Sequence, residues 1–283
     1  MTTPVEDLKD FLSRAGRFAV VRVAATRGST PREAGAAMLV SPAAIHGTIG
    51  GGQLEYMAID KARQLLRSAL SDEKGQAEIL DIPLGPEIGQ CCGGRVEVSI
   101  RPGTPAIAAE LVKQAENEAI GLPHLYIFGG GHVGHAMAAA CALMPVHTVV
   151  VDTRADALDG LTTEVETRLT PMPEEVVRDA PAGSAFAVLT HDHALDFLIV
   201  AEALKRPDAA YVGMIGSKTK KATFKSWFLK TAGGTEAEFR RLVSPIGGDK
   251  VKDKRPAVIA ALAAAEMMTA LALIAIPAEQ AAH

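Results

Sequence analysis

Apolar residues recur along this chain in two rhythms. Near the start, Val5, Leu8, Phe11 and Leu12 fall on one face at helical spacing and predict a short amphipathic helix over 5–15. Short apolar runs bounded by turn residues at 18–25, 36–40, 43–49, 77–82 and 95–100 predict strands, with 36–40 and 43–49 forming a hairpin around Ser41-Pro42. Helices are predicted over 53–70 and 106–120. Beyond residue 122, strand and helix patterns alternate: strands at 125–128, 147–151, 185–189 and 210–213, and helices at 132–143, 195–204, 220–231 and 235–242. That alternation predicts a parallel sheet. A loop at 244–249 follows, then one long apolar helix over 257–276.

The pattern implies an α/β protein. An α+β domain is expected over 1–105, a linker helix over 106–122 after the punctuation Arg101-Pro-Gly-Thr-Pro105, and a Rossmann-like parallel-sheet domain over 123–283. The run 257–276 has the length of a membrane span. It is rich in alanine and carries Glu266 near its middle, and a central carboxylate is costly in lipid. It is therefore read as a buried helix begun by Pro256 and stopped by Pro277, with no membrane partner expected.

Charge and cysteine usage narrow the class. A net charge of −4, with no basic block longer than a few residues, gives no sign of nucleic-acid binding, and no nucleic-acid partner is expected. The first residues show neither a positive segment nor an apolar one, so no signal peptide is expected. Three cysteines, two of them adjacent, make no disulfide framework and point to a reducing, cytoplasmic setting.

The stretch that organises the chain is Leu125-Tyr-Ile-Phe-Gly-Gly-Gly-His-Val-Gly-His135. Gly129, Gly131 and Gly134 fit G-x-G-x-x-G between a strand and a helix, the context the motif needs. The helix start offers N–H groups and a positive dipole end to an anion, and His132 lies inside the turn. Asp152 closes the next strand about 20 residues on, where a ribose-reading carboxylate stands in dinucleotide-binding folds. A nucleotide is thus one candidate occupant, and an NAD(P)-dependent oxidoreductase one candidate function.

Four further stretches carry chemistry. Gly50, Gly51 and Gly52, with Gln53 and Glu55, put a glycine turn at a helix start, read as an anion cradle or as a tight crossover turn. Gly28-Ser-Thr-Pro-Arg32 places Arg32 on a polar loop suited to phosphate or simply to solvent. Cys91 and Cys92, followed by two glycines, are adjacent soft ligands without the spacing of structural zinc. The plain alternative is two small residues packed at a strand start, and Cys141 is read that way. His191, Asp192 and His193 follow a strand end, where open α/β sheets bind ligands, and are read as hydrogen-bonding contacts rather than a metal pair. Lys218, with Lys220 and Lys221, offers an anion clamp; Ser217 as a helix cap is the plain reading.

In this order the motifs resemble the XdhC family (XdhC/CoxI type), the xanthine dehydrogenase accessory proteins. The segments that carry the resemblance are Gly28-Ser-Thr-Pro-Arg32, Gly47-Thr-Ile-Gly-Gly-Gly-Gln-Leu-Glu55, Gly89-Gln-Cys-Cys-Gly-Gly94, Phe128-Gly-Gly-Gly-His-Val-Gly134, Thr190-His-Asp-His-Ala-Leu-Asp196, Val212-Gly-Met-Ile-Gly-Ser-Lys218 and Ser244-Pro-Ile-Gly247. Two departures are Gly130, where the family commonly has Ala, and Lys252-Asp-Lys-Arg-Pro256 in place of a glycine-containing stretch. The resemblance implies an N-terminal XdhC/CoxI-type domain and a non-enzymatic chaperone. It implies that the chaperone carries the molybdenum cofactor (molybdopterin) as cargo while a cysteine desulfurase installs its sulfido ligand. It further implies delivery to xanthine dehydrogenase and a homodimer, with the cargo in a cleft between the domains. On these positions it carries cofactor binding to Arg32, Gly50, Gly51, Gly52, Gln53, Gly129, Gly131, His132, Gly134, Asp152, His191, Asp192 and Lys218, and metal contact to Cys91 and Cys92.

Overall fold

The computed structural model describes residues 3–68, 77–86, 93–162 and 164–275. The chain divides between Ile120 and Gly121 into two compact units.

The first unit opens with helix α1 (Pro4–Ala15). Thr3 caps it: the Thr3 Oγ1 accepts from the Glu6 N–H (3.2 Å), and the Glu6 carboxylate accepts from the Thr3 N–H (2.8 Å). Strands β1 (Ala19–Arg27), β2 (Ala37–Val40), β3 (Ile45–Gly47), β4 (Glu78–Pro83) and β5 (Arg95–Pro102) form an antiparallel sheet in the order β3-β2-β1-β5-β4. In β1, Val21 and Val23 face helix α2 (Gly52–Ser68), whose Leu54, Ala58 and Leu65 complete that core. Val20, on the opposite face, packs with Leu8 of α1 and with partly buried residues of α3 (Pro105–Ile120). Cover on both faces explains why β1 is apolar at Ala19, Val20, Val21 and Val23 rather than alternating from its start, with Arg22 the one charged residue among them. The segment expected as a linker helix is α3, which packs beside α1 within this unit; Lys9 and Glu116 pair across them at 2.7 Å.

The second unit is a six-stranded parallel sheet in the order β11-β10-β9-β6-β7-β8. Its strands are β6 (His124–Phe128), β7 (His147–Asp152), β8 (Glu166–Leu169), β9 (Ala185–Val188), β10 (Tyr211–Met214) and β11 (Leu242–Val243). Counted from β6, this is the doubly wound order 3-2-1-4-5-6, whose reversal lies between β6 and β9. Helices α5 (Pro173–Asp179), α6 (His193–Lys205), α7 (Lys218–Lys230) and α8 (Glu236–Phe239) contribute to the core on one face. Helices α4 (His132–Cys141) and α9 (Pro256–Ala275) cover the other.

Several expectations are corrected here. The helix expected over 235–242 is the single turn α8, and Leu242 belongs to β11, pairing with Val212. Strand β8 and helix α5 occupy a stretch where no element was expected. Helix α4 ends at Cys141, short of 143. Helix α9 is the one helix, among the described residues, long and apolar enough to cross a membrane. It is buried along one stripe only. Ala260, Ala263, Ala264, Met267 and Leu271 enter the core, while Leu273 and Ile274 remain exposed. Its small residues let it lie close against α4, and Glu266 on the same helix accepts from the Tyr211 hydroxyl (2.7 Å) and the Gly247 N–H (2.8 Å). The carboxylate that looked out of place in an apolar run therefore ties α9 to β10 and the loop after β11.

Candidate functional site

The glycine turn after β6 stands where the strand order reverses. Gly129 has φ +115° and abuts the end of β9: a Cβ there would lie 2.7 Å from the Leu189 carbonyl. A Cβ on Gly134 would collide with the Gly129 carbonyl, so the third glycine lets α4 sit directly on its strand. Gly131, the N-cap of α4, has no side-chain cap, and nothing lies within 4 Å of where its Cβ would be. The first turn of α4 is thus open to an anion. His132 is exposed beside it.

Asp152 is engaged by the chain's own donors. Its Oδ2 accepts from the Gly130 N–H (2.8 Å), and its Oδ1 from the Arg154 N–H (3.0 Å) and Nε (3.3 Å). Burial opposes its charge, but these hydrogen bonds and the Arg154 guanidinium outweigh burial and hold the carboxyl below its ordinary range. A 3-10 turn, Asp156–Leu158, folds over Gly130, and the Ala157 carbonyl fills the room an alanine methyl would need there. The same carbonyl lies 3.0 Å from His135 Nε2.

At the ends of β9 and β10 the expected residues divide into exposed ones and structural ones. Asp192 is the N-cap of α6, its Oδ1 accepting from the Ala194 (2.8 Å) and Leu195 (3.3 Å) N–H groups. His191 and His193 are exposed. Among the described residues no group of three His, Cys, Asp or Glu side chains is placed to hold a metal ion. Ser217 caps α7, accepting from the Lys220 N–H (3.2 Å), and leaves Lys218 exposed on the first turn. Gly129, Gly131, His132, Gly134, Asp152, His191, Asp192 and Lys218 follow β6, β7, β9 and β10, so the parallel sheet places them all at its carboxyl edge. Lys220, expected with Lys218 and Lys221 as an anion clamp, is instead buried at that edge in an ion pair with Asp196, a pairing the sequence did not suggest.

In the first unit three motif loops converge. A Cβ on Gly50 would lie 2.7 Å from Pro31 Cγ and 3.4 Å from Arg32 Cγ; one on Gly28 would lie 3.3 Å from Gly94 Cα. Leu84 and Gly94 close the base of the β4–β5 excursion, the Leu84 N–H donating to the Gly94 carbonyl (2.8 Å). Cys91 and Cys92, on that excursion, lie outside the described residues. Gly50, Gly51 and Gly52 all have positive φ (+127°, +76°, +65°), so the turn needs glycine for its shape alone. Its donors are not all free. Glu55 Oε2 accepts from the Gly51 (3.0 Å) and Ile49 (3.1 Å) N–H groups and from Thr48 Oγ1 (2.5 Å). Gln53 and Arg32 are exposed at its rim.

Comparison with known proteins agrees with this geometry. The XdhC Rossmann domain matches residues 125–267, and the XdhC and CoxI family matches residues 11–73. The chain is 26% identical over 243 residues to the uncharacterized protein YqeB of Escherichia coli (strain K12); the match covers 81% of this chain and 39% of that protein. The chain therefore spans well under half the length of that relative. A crystal structure described as a xanthine dehydrogenase from Bacillus halodurans superposes with a TM-score of 0.79 at 16% identity, covering 100% of this chain and 98% of that one. At such identity the likeness is one of fold.

Proposed function

The chain belongs to the XdhC family, and from that premise we propose that it is an accessory factor, not a catalyst, that carries the molybdenum cofactor. The reading includes protection of the cargo, support of its sulfuration by a cysteine desulfurase, and delivery to xanthine dehydrogenase from a homodimer.

The observation that carries it is the open N-terminus of α4. Gly131 is uncapped and unobstructed at the reversal point of the sheet, with exposed His132, His191 and Lys218 on the same edge. An anionic phosphate group fits that donor set. Within the first unit, Arg32 is exposed where the motif loops converge and is a cation available to an anionic group there. The cofactor presents a metal bound by sulfur, and the adjacent thiols of Cys91 and Cys92 are the soft donors of matching chemistry. The glycine turn at 50–52 is a weaker anion site than its sequence implies, because Glu55 already accepts from two of the nearby N–H groups.

The dinucleotide alternative has less support. Asp152, which would read a ribose, has its carboxylate held by Gly130 and Arg154, and the 156–158 turn packs on Gly130. Anaerobic gel filtration with molybdopterin, alongside titration of Trp227 fluorescence with NAD and NADP, tests the proposal. Co-elution of the pterin and no saturable response to either dinucleotide are expected. Tight NAD or NADP binding without pterin retention would overturn the carrier reading.

A further inference from the structure

The first unit holds a cavity of about 250 Å³ beneath the C-terminal half of α3. Arg22 enters it from the strand side, from β1. Its main-chain oxygen accepts from Ser99 (3.4 Å), but its Nε is sealed from solvent and has no hydrogen-bond partner, and its guanidinium makes no ion pair among the described residues. Buried donors in folded proteins are almost always satisfied, so the sealed Nε of Arg22 calls for an acceptor from the cavity. Its planar fork matches a carboxylate.

From the helix side comes Glu118, held by the Gln114 amide at 2.9 Å and paired with no cation among the described residues. A cation and an anion thus face one cavity from opposite walls without meeting. Leu8, Leu39 and Leu111 line the space between them. A simple anion would be repelled by Glu118, and a simple cation by Arg22. The volume is below that of sites for drug-sized ligands.

We propose that this cavity binds a small zwitterion, an α-amino acid with a short apolar side chain. The carboxylate lies on Arg22, the ammonium on Glu118, and the side chain against the leucines. Nothing in the carrier role of the other motifs requires this site; it lies on a different face of the first unit's sheet from α2 and its glycine turn.

Calorimetric titration of the full chain with alanine, valine and leucine tests it, with propionate, isobutylamine and inorganic phosphate as controls. Saturable binding of at least one amino acid is expected, about 10- to 100-fold weaker in Arg22→Met and in Glu118→Gln, the range for losing a charged hydrogen-bonding partner. Glu118 is exposed on its helix, so Glu118→Gln keeps the test valid even if Arg22→Met folds poorly. Absence of amino-acid binding to the wild type, equal binding of propionate or phosphate, or an unchanged affinity in Glu118→Gln would each overturn the proposal.

Discussion

Asp196 and Lys220 form a buried ion pair that joins the first turn of α6 to the start of α7. Asp196 is fully buried and Lys220 is 8% exposed. The other Asp196 oxygen accepts from the Thr190 N–H (3.0 Å) and Thr190 Oγ1 (2.6 Å), so one carboxylate fixes both loops at the carboxyl edge of the parallel sheet. The Lys220 stem also covers Gly216, its Cβ 3.2 Å from where a Gly216 Cβ would stand. The exposed Lys218 and His191 are thereby carried on loops that cannot drift independently.

Removing one partner leaves the other charged and buried. Asp196→Asn or Lys220→Met is expected to cost about 3–5 kcal/mol in urea unfolding. The double variant Asp196→Leu/Lys220→Met should recover only part of that, because the Thr190 N–H then lacks an acceptor. A cost under about 1 kcal/mol for either single variant would show the pair is not buried as described.

Glu55 sets a pH dependence in the first unit. Burial works against its charge, but hydrogen bonds from Thr48 and from the Gly51 and Ile49 N–H groups prevail and hold it below its ordinary value of 4.5. A carboxyl depressed in the folded state stabilises above its unfolded pKa, and that contribution is lost as pH falls through the folded one. Wild type should therefore melt above Glu55→Gln at neutral pH, with the difference shrinking as pH drops below 4.5. A gap constant with pH would contradict the capping role.

Two glycines of the same turn should respond unequally to one methyl. Gly131→Ala adds it into open space at φ −78° and should cost under about 1 kcal/mol, the scale of an N-cap change. Gly134→Ala drives it into the Gly129 carbonyl and should cost about 1–3 kcal/mol. Thermal melts of the two variants side by side check the order, and equal costs would count against the geometry of the turn.

Much of this was legible before any coordinates. The strand–glycine–helix order around Gly129 and the strand–helix alternation beyond it specify the parallel sheet, because both signals are local. The misses share a cause. β8 is an edge strand whose Glu166, Thr167 and Leu169 are exposed, so it carries no apolar run, and β11 is two residues long. Glu55 is visible in sequence only as a residue at a helix start, since its grip on Ile49 and Gly51 needs the turn's three-dimensional shape. Asp196–Lys220 spans 24 residues, and Arg22 and α3 come to line one cavity only through tertiary packing, so neither leaves a mark in sequence spacing. The vicinal cysteines are the converse case, plain in sequence and outside the described residues.

Anaerobic equilibrium binding of the molybdenum cofactor to wild type, Cys91→Ala and Cys92→Ala bears most directly on the carrier role. Wild type should bind saturably, and at least one cysteine variant should bind about tenfold or more weakly while melting at the wild-type temperature. Equally weak binding by all three proteins would contradict it.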